Sequence, residues 1–196
     1  MVSIKIYIEG GGDNKALEIC FQRAWTKFFQ AAGLIGKMPR PVRGKGRKNT
    51  YDLFCTAIQN AKTDELPLLL VDGEDAIADG HTAWHHLKTR DGWAKPAKAD
   101  DRHAYLMVQL METWFLADSD ALKEHFGKNF KPHKILAWPN MEAVPKLTIL
   151  ETLAKATSDQ YAKGKVSFEL LSKTSPQKVA EKSPQAKRFL DFLQTR

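Results

Sequence analysis

Only two cysteines, Cys20 and Cys55, occur in 196 residues. That is too few for a disulfide scaffold or a four-thiolate metal site, and both sit in helix-like apolar patterns that read as buried thiols. No unbroken apolar run approaches the roughly eighteen residues a membrane span needs. The amino-terminal segment also lacks the basic-then-apolar order of a signal peptide. These absences lead to the expectation of a soluble, cytoplasmic chain with no membrane partner. There is no Walker-type GxxxxGK[ST] loop, no CxxC pair and no Ser-His-Asp order, which removes the usual rival routes to phosphate or acyl chemistry. "GGGD" fails a dinucleotide-binding spacing at its third glycine, where Lys15 stands. Internal repeats and low-complexity tracts are lacking too. What the chain does have is an excess of positive charge, 30 Lys and Arg against 23 Asp and Glu, for a formal net charge of +7. Such an excess favours a polyanionic partner and says nothing about fold.

Hydrophobic residues make up 43% of the chain, enough for one substantial core. Strand-like alternation from Lys5 to Ile8 is followed by a helical pattern from Asn14 to Ala32, with Gly33 as its stop. A short strand is expected around Val42 and a second helix from Thr50 to Ala61, burying Leu53, Phe54, Ala57 and Ile58. "LPLLLVDGEDAI" contains an apolar run of strand length without alternation, as in a parallel sheet covered on both faces. Residues 78–102 read as a short helix plus loop. "HAYLMVQLMETWFLAD" divides into a strand, Ala104 to Leu110, and a helix beginning near Glu112. The remainder is helical and basic, with Ser-Pro helix starts at Ser175 and Ser183. Alternating strands and helices predict an α/β fold with an open, mostly parallel sheet flanked by helices. The α/β core is assigned to residues 1–126, and a helical, basic carboxy-terminal extension packed on it to residues 127–196.

In such sheets the functional crevice lies beyond the carboxyl ends of the strands. Glu9 ends the first strand. Asp72, Glu74 and Asp75 follow the "LLLV" strand, and Glu112 follows "YLMVQL". Carboxylates converging on one rim repel one another unless a cation joins them, and hard divalent ions such as Mg2+ or Mn2+ take such oxygen ligands. Gly10, Gly11 and Gly12 permit a tight turn beside Glu9 and room for a bulky anion. Asp13 either caps the following helix or joins the site. His81 and His85 are four apart, a zinc-compatible spacing, but lack a third ligand and read as surface residues. Two basic clusters are candidates for phosphate binding. "KMPRPVRGKGRK" carries six cations and no acid, among them Arg43, Lys45, Arg47 and Lys48. Lys163 and Lys165 lie in "YAKGKVSFELL".

The glutamate in "YIEGGGD" and the later acidic group in "LLLVDGED" together resemble the two motifs of the Toprim fold, shared by topoisomerases, primases and OLD-type nucleases. With "LMVQLMETWFLAD" and "KGKVSFELL" added, the chain is similar over nearly its whole length to small stand-alone bacterial Toprim-like proteins encoded beside ABC-type ATPases in phage-defence loci. The resemblance makes Glu9 the Toprim glutamate, acting as a metal ligand or as a base. It makes Asp72 and Glu74 the acidic pair, and places Glu112 at a glutamate position of the closer group. The pair is spaced Asp-Gly-Glu rather than Asp-x-Asp, so Glu74 and Asp75 both remain open as the second ligand. The implied activity is that of a Mg2+- or Mn2+-dependent nuclease acting on DNA or RNA, the effector of an anti-phage module with an ABC-type ATPase partner. The alternative is a catalytically inactive interaction or regulatory protein of the same fold.

Overall fold

The computed structural model describes residues 2–10 and 14–196. The four strands are β1 (Ser3–Ile8), β2 (Arg40–Arg43), β3 (Glu65–Asp72) and β4 (Ala104–Met107), all parallel and ordered β2-β1-β3-β4. The helices that follow in the chain are α1 (Lys15–Ala31), α2 (Arg47–Asn60), α3 (Ala83–Asp91), α4 (Glu112–Ala117), α5 (Ser119–Phe126), α6 (Lys146–Ala156), α7 (Lys165–Leu171), α8 (Pro176–Lys182) and α9 (Pro184–Gln194).

The alternation of β1 is explained by its two covers. Ile4, Ile6 and Ile8 enter a large apolar cluster with Leu68 and Leu70 of β3 and Tyr105 and Met107 of β4. Leu69, Val71, Ala104 and Leu106 point the other way, into a smaller cluster with Phe54 and Ile58 of α2 and Trp84 and Leu87 of α3. The large cluster also takes Trp25 and Phe28 of α1, Trp114 of α4, Phe168 of α7 and Phe189 and Leu193 of α9. Residues from both ends of the chain thus share one core. The sheet is the expected open α/β sheet, and it is parallel throughout.

Local signals explain the helix ends. Asn14 caps α1, its Oδ1 accepting from the Ala16 amide at 2.7 Å. Gly33 follows the helix at φ +80°, a conformation costly for any residue with a Cβ. Ser175 and Ser183 cap α8 and α9, each with proline at the first helical position.

Three features differ from expectation. Helix α2 begins at Arg47 rather than Thr50, because its first turn is held by side-chain contacts to other elements, described below. Leu53 on α2 is 37% exposed rather than buried, since Phe54 and Ile58 already fill the face turned to the sheet. β4 ends at Met107 instead of Leu110, and beyond it the Gln109 carboxamide is engaged by the start of α6, accepting from the Lys146 amide at 2.8 Å. Among the described residues, no helix is long and apolar enough to cross a membrane.

Candidate functional site

The chain leaves β1 for α1 on one face of the sheet, and leaves β3 for α3 on the other. β1 and β3 are neighbours, so their carboxyl ends border the crevice that opens where connections diverge. Glu9 and Asp72 sit at those two ends. The Glu9 amide donates to Leu70 O at 3.1 Å, continuing the strand pairing. The Asp72 amide donates to Glu9 Oε2 at 3.3 Å.

The turn after β3 is pinned from three sides. The amides of Gly73 and Glu74 donate to Met107 O and Gln109 O at 2.8 and 2.5 Å, and the His86 ring lies 2.7 Å from Gly73 O. Glu74 is held at φ +66°. A left-handed conformation costs a non-glycine residue on the order of 1–3 kcal/mol and persists only where surrounding contacts enforce it. Its effect here is to turn the Glu74 side chain back toward β1. One carboxylate oxygen from each of Glu9, Asp72 and Glu74 lies within 4.8 Å of the others.

Each of the three carboxylates spends one oxygen on the protein. Glu9 Oε2 receives Arg47 Nη1 at 3.0 Å, Asp72 Oδ1 receives the Met111 amide at 2.9 Å, and Glu74 Oε2 receives Lys146 Nζ. The second oxygens have no hydrogen-bond donor among the described residues. Three hard oxygen donors in one small volume, on carboxylates that each already receive an internal donor, could hold a hard divalent cation that keeps further positions for water. Asp72 lines a cleft of about 450 Å³ with Glu9, Glu112, Lys163 and Phe168. Burial, then the charges of Glu9 and Glu112, push its carboxyl well above the usual range. Burial also raises Glu9, against the pull of Arg47. Glu74 is likewise penalised by burial, but Lys146 and Arg90 outweigh that and hold it below its ordinary value.

Glu112 lies outside the three-carboxylate group but in the same cleft. It is only 2% exposed, accepts from the Tyr161 hydroxyl at 2.7 Å and lies 3.3 Å from Lys163 Nζ. Tyr161 also touches Ser167 Oγ at 2.9 Å. Burial, followed by the charge of Glu112, raises the phenol far above its ordinary range and keeps it neutral. Lys163 loses some of its charge preference to burial, yet Glu112 and Asp72 more than restore it, and it is raised.

The structure separates the remaining candidates. Asp75 points away from the cluster, 74% exposed, with Arg90 at 3.4 Å; of the two residues left open, Glu74 is the one that faces Glu9 and Asp72. Asp13, Gly11 and Gly12 lie outside the described residues. Gly10 lines the cleft, but a Cβ there would come within 3.4 Å of Arg43 Cγ, so part of the space beside it is taken by that side chain. Arg43 ends β2 rather than lying in an open loop, is 5% exposed and sits 3.5 Å from Glu18.

Arg47, expected among the phosphate binders, instead holds the site together. Its Nη1 bridges Glu9 and the Asp72 carbonyl, the latter at 2.6 Å, and its Nε and Nη2 grip Asp91 at 2.8 and 2.7 Å. Its guanidinium lies 5.1 Å from the Trp93 ring centroid, and Trp93 stacks on Tyr51. Lys45 and Lys48 are exposed, and Lys48 pairs with Asp52 one turn on. Lys165 starts α7, exposed, 3.6 Å from Glu169. Sequence reasoning missed Asp91, Arg90, Lys146 and Tyr161. Only Tyr161 carried a signal, its position two residues before Lys163.

By fold and cleft, the chain is of the class of open parallel α/β proteins with a carboxylate-lined cleft at the switch point of the sheet. More particularly, residues 8–194 match the family described as Domain of unknown function (DUF4276), and the chain belongs to that family. Comparison with curated proteins and with solved structures gave no match.

Proposed function

We propose that this protein is a Mg2+- or Mn2+-dependent phosphodiesterase acting on nucleic acid, of Toprim type. The convergence of Glu9, Asp72 and Glu74 at the ends of β1 and β3 carries this reading. These three residues would hold the ion, with Glu112 completing the acidic wall of the cleft. A divalent ion in such a place supplies charge for phosphate oxygens and lowers the pKa of bound water. Arg47 fixes Glu9 against β3, so the carboxylate that faces the cleft does not have to be ordered when substrate arrives. Lys163 is the sole cation among the described residues lining the cleft. Its ammonium, beside Glu112, can turn to a non-bridging phosphate oxygen and offset charge that develops there. Tyr161 positions Glu112 through its hydroxyl.

By the same reading the protein serves as the effector of an anti-phage module with an ABC-type ATPase partner. A second reading, a catalytically inactive regulatory protein of that partner, is favoured by one observation. Arg47 and Lys146 already neutralise Glu9 and Glu74, so the acidic turn has internal counterions. Calorimetric titration with Mn2+ and Mg2+ decides between them. On the nuclease reading the wild type binds, Asp72→Asn and Glu9→Gln do not, and the wild type alone cleaves plasmid DNA or RNA in the presence of the ion. Absence of binding and cleavage in a folded wild type would favour the regulatory protein.

A further inference from the structure

The acidic cleft does not end at α7. Phe168 stands in its wall and also in the wall of a second groove, which runs on between α1 and α7. The two helices lie side by side in the same direction: Gly164 meets Leu17 at their beginnings, and Phe168 packs edge-on against Phe21 one turn further along. Moving along this groove from the acidic cleft, the lining changes sign. It presents Arg23 and Lys27 from α1, and Lys165 and Lys173 from α7 and the turn after it, against a single carboxylate, Glu169. Glu169 is already taken up by Lys165 at 3.6 Å, and Lys173 by Glu124 at 2.6 Å. Arg23 and Lys27 are exposed and have no ion-pair partner among the described residues.

We infer that the groove between α1 and α7 carries the sugar-phosphate backbone of the nucleic-acid strand whose reacting phosphate lies in the acidic cleft. The inference rests on the nuclease reading for what occupies the cleft, and on the groove's own charge for the path. Arg23 and Lys27 are one helical turn apart, an advance of about 6 Å along α1, comparable to the step between successive phosphates of an extended strand. A small anion would need a closed pocket of converging donors, whereas a row of cations along an open groove suits a linear polyanion. The row also gives the positive net charge a place. The glycine-rich segment before α2 loses Arg43 and Arg47 to internal carboxylates, and α1 supplies two cations that no internal group among the described residues neutralises.

Anisotropy of a short fluorescein-labelled single-stranded oligonucleotide, as DNA and as RNA, tests this in EDTA across a salt series. Calorimetry with Mn2+ is run on the same preparations. The double variant Arg23→Ala/Lys27→Ala, changed only at exposed positions, is expected to bind roughly tenfold more weakly at low salt, and its slope of log K against log salt to be shallower by about 1.4. Its Mn2+ binding is expected to be unchanged, and Asp72→Asn is expected to bind the oligonucleotide as the wild type does. A double variant indistinguishable from the wild type in affinity and slope would overturn the inference while leaving the nuclease reading standing. Failure of the wild type to bind either strand at low salt would overturn it too. Strand binding that depends on Arg23 and Lys27 in a protein that takes up no metal would retain the groove and reject the nuclease.

Discussion

The carboxylates around the ends of β1 and β3 fall into two groups that solve the same electrostatic problem differently. On the outer side, Glu74, Asp75 and Asp91 are matched by Lys146, Arg90 and Arg47, and Glu74 and Asp91 are held below their ordinary pKa values. On the inner side, Asp72 and Glu112 share Lys163, and Asp72 is pushed far up by burial and by its acidic neighbours. Glu9 stands between, tied to Arg47 yet still raised. The outer group is complete as folded, whereas the inner group is left with more negative charge than its surroundings compensate. Uncompensated ions in a low-dielectric recess are expensive, and carboxylates perturbed in this way concentrate at functional sites.

Removing Arg47 should break this contrast most severely. Arg47→Ala leaves both Glu9 and Asp91 without their main counterion and is expected to cost about 3–5 kcal/mol in urea unfolding, with part of the loss recovered on adding Mn2+. If Mn2+ recovers nothing, Glu9 is not a ligand. Asp72→Asn should do the reverse, raising metal-free stability on the alkaline side, since the neutral amide escapes the burial penalty and the repulsion from Glu9 and Glu112. It should also abolish any rise in melting temperature with Mn2+. An undiminished Mn2+ effect in that variant would remove Asp72 from the site.

The pH dependence follows with its sign. Asp72 and Glu9 titrate higher in the folded than in the unfolded chain, so between those values the folded state binds more protons. The stability they contribute is therefore present at low pH and is lost as pH rises through their folded pKa values. Glu74 and Asp91 act in the opposite sense, their contribution being lost as pH falls below the ordinary carboxylate range. Metal-free unfolding across a pH series should therefore show a decline on the alkaline side that saturating Mn2+ flattens and that Asp72→Asn reduces to the part due to Glu9. The smallest effect is expected at the outer edge. Lys146→Ala breaks a partly exposed pair and should cost about 0.5–1 kcal/mol, leaving the alkaline decline in place.

The strands and the acids at their ends are legible because each is encoded within a few residues: an apolar run, then a carboxylate, then glycine. The Ser-Pro helix starts are legible for the same reason. The partners are not. Lys146 meets Glu74 across 72 positions and Arg47 meets Asp91 across 44, and nothing local marks a lysine or an arginine as someone else's counterion. Arg47 misleads for a physical reason. In sequence it belongs to a run of cations among glycines, but Gly46 at φ +121° ends that run and starts a helix whose first residue turns inward. The choice between Glu74 and Asp75 likewise needs the backbone, since the left-handed conformation at Glu74 decides which carboxylate faces β1.

β1 lies in the interior of the sheet, and α9 closes the core around it. Phe189 of α9 touches Phe29 of α1 and Tyr105 of β4, with ring centroids 6.4 and 5.1 Å apart, and the Gln194 carboxamide donates to Ala32 O across 162 positions. Contacts so distant along the chain return nothing until long loops have closed, which slows folding. During synthesis, the aromatic face of α1 must therefore wait until residues 184–194 have left the ribosome before α9 can cover it. In that interval the nascent protein offers chaperones a surface that the finished one conceals.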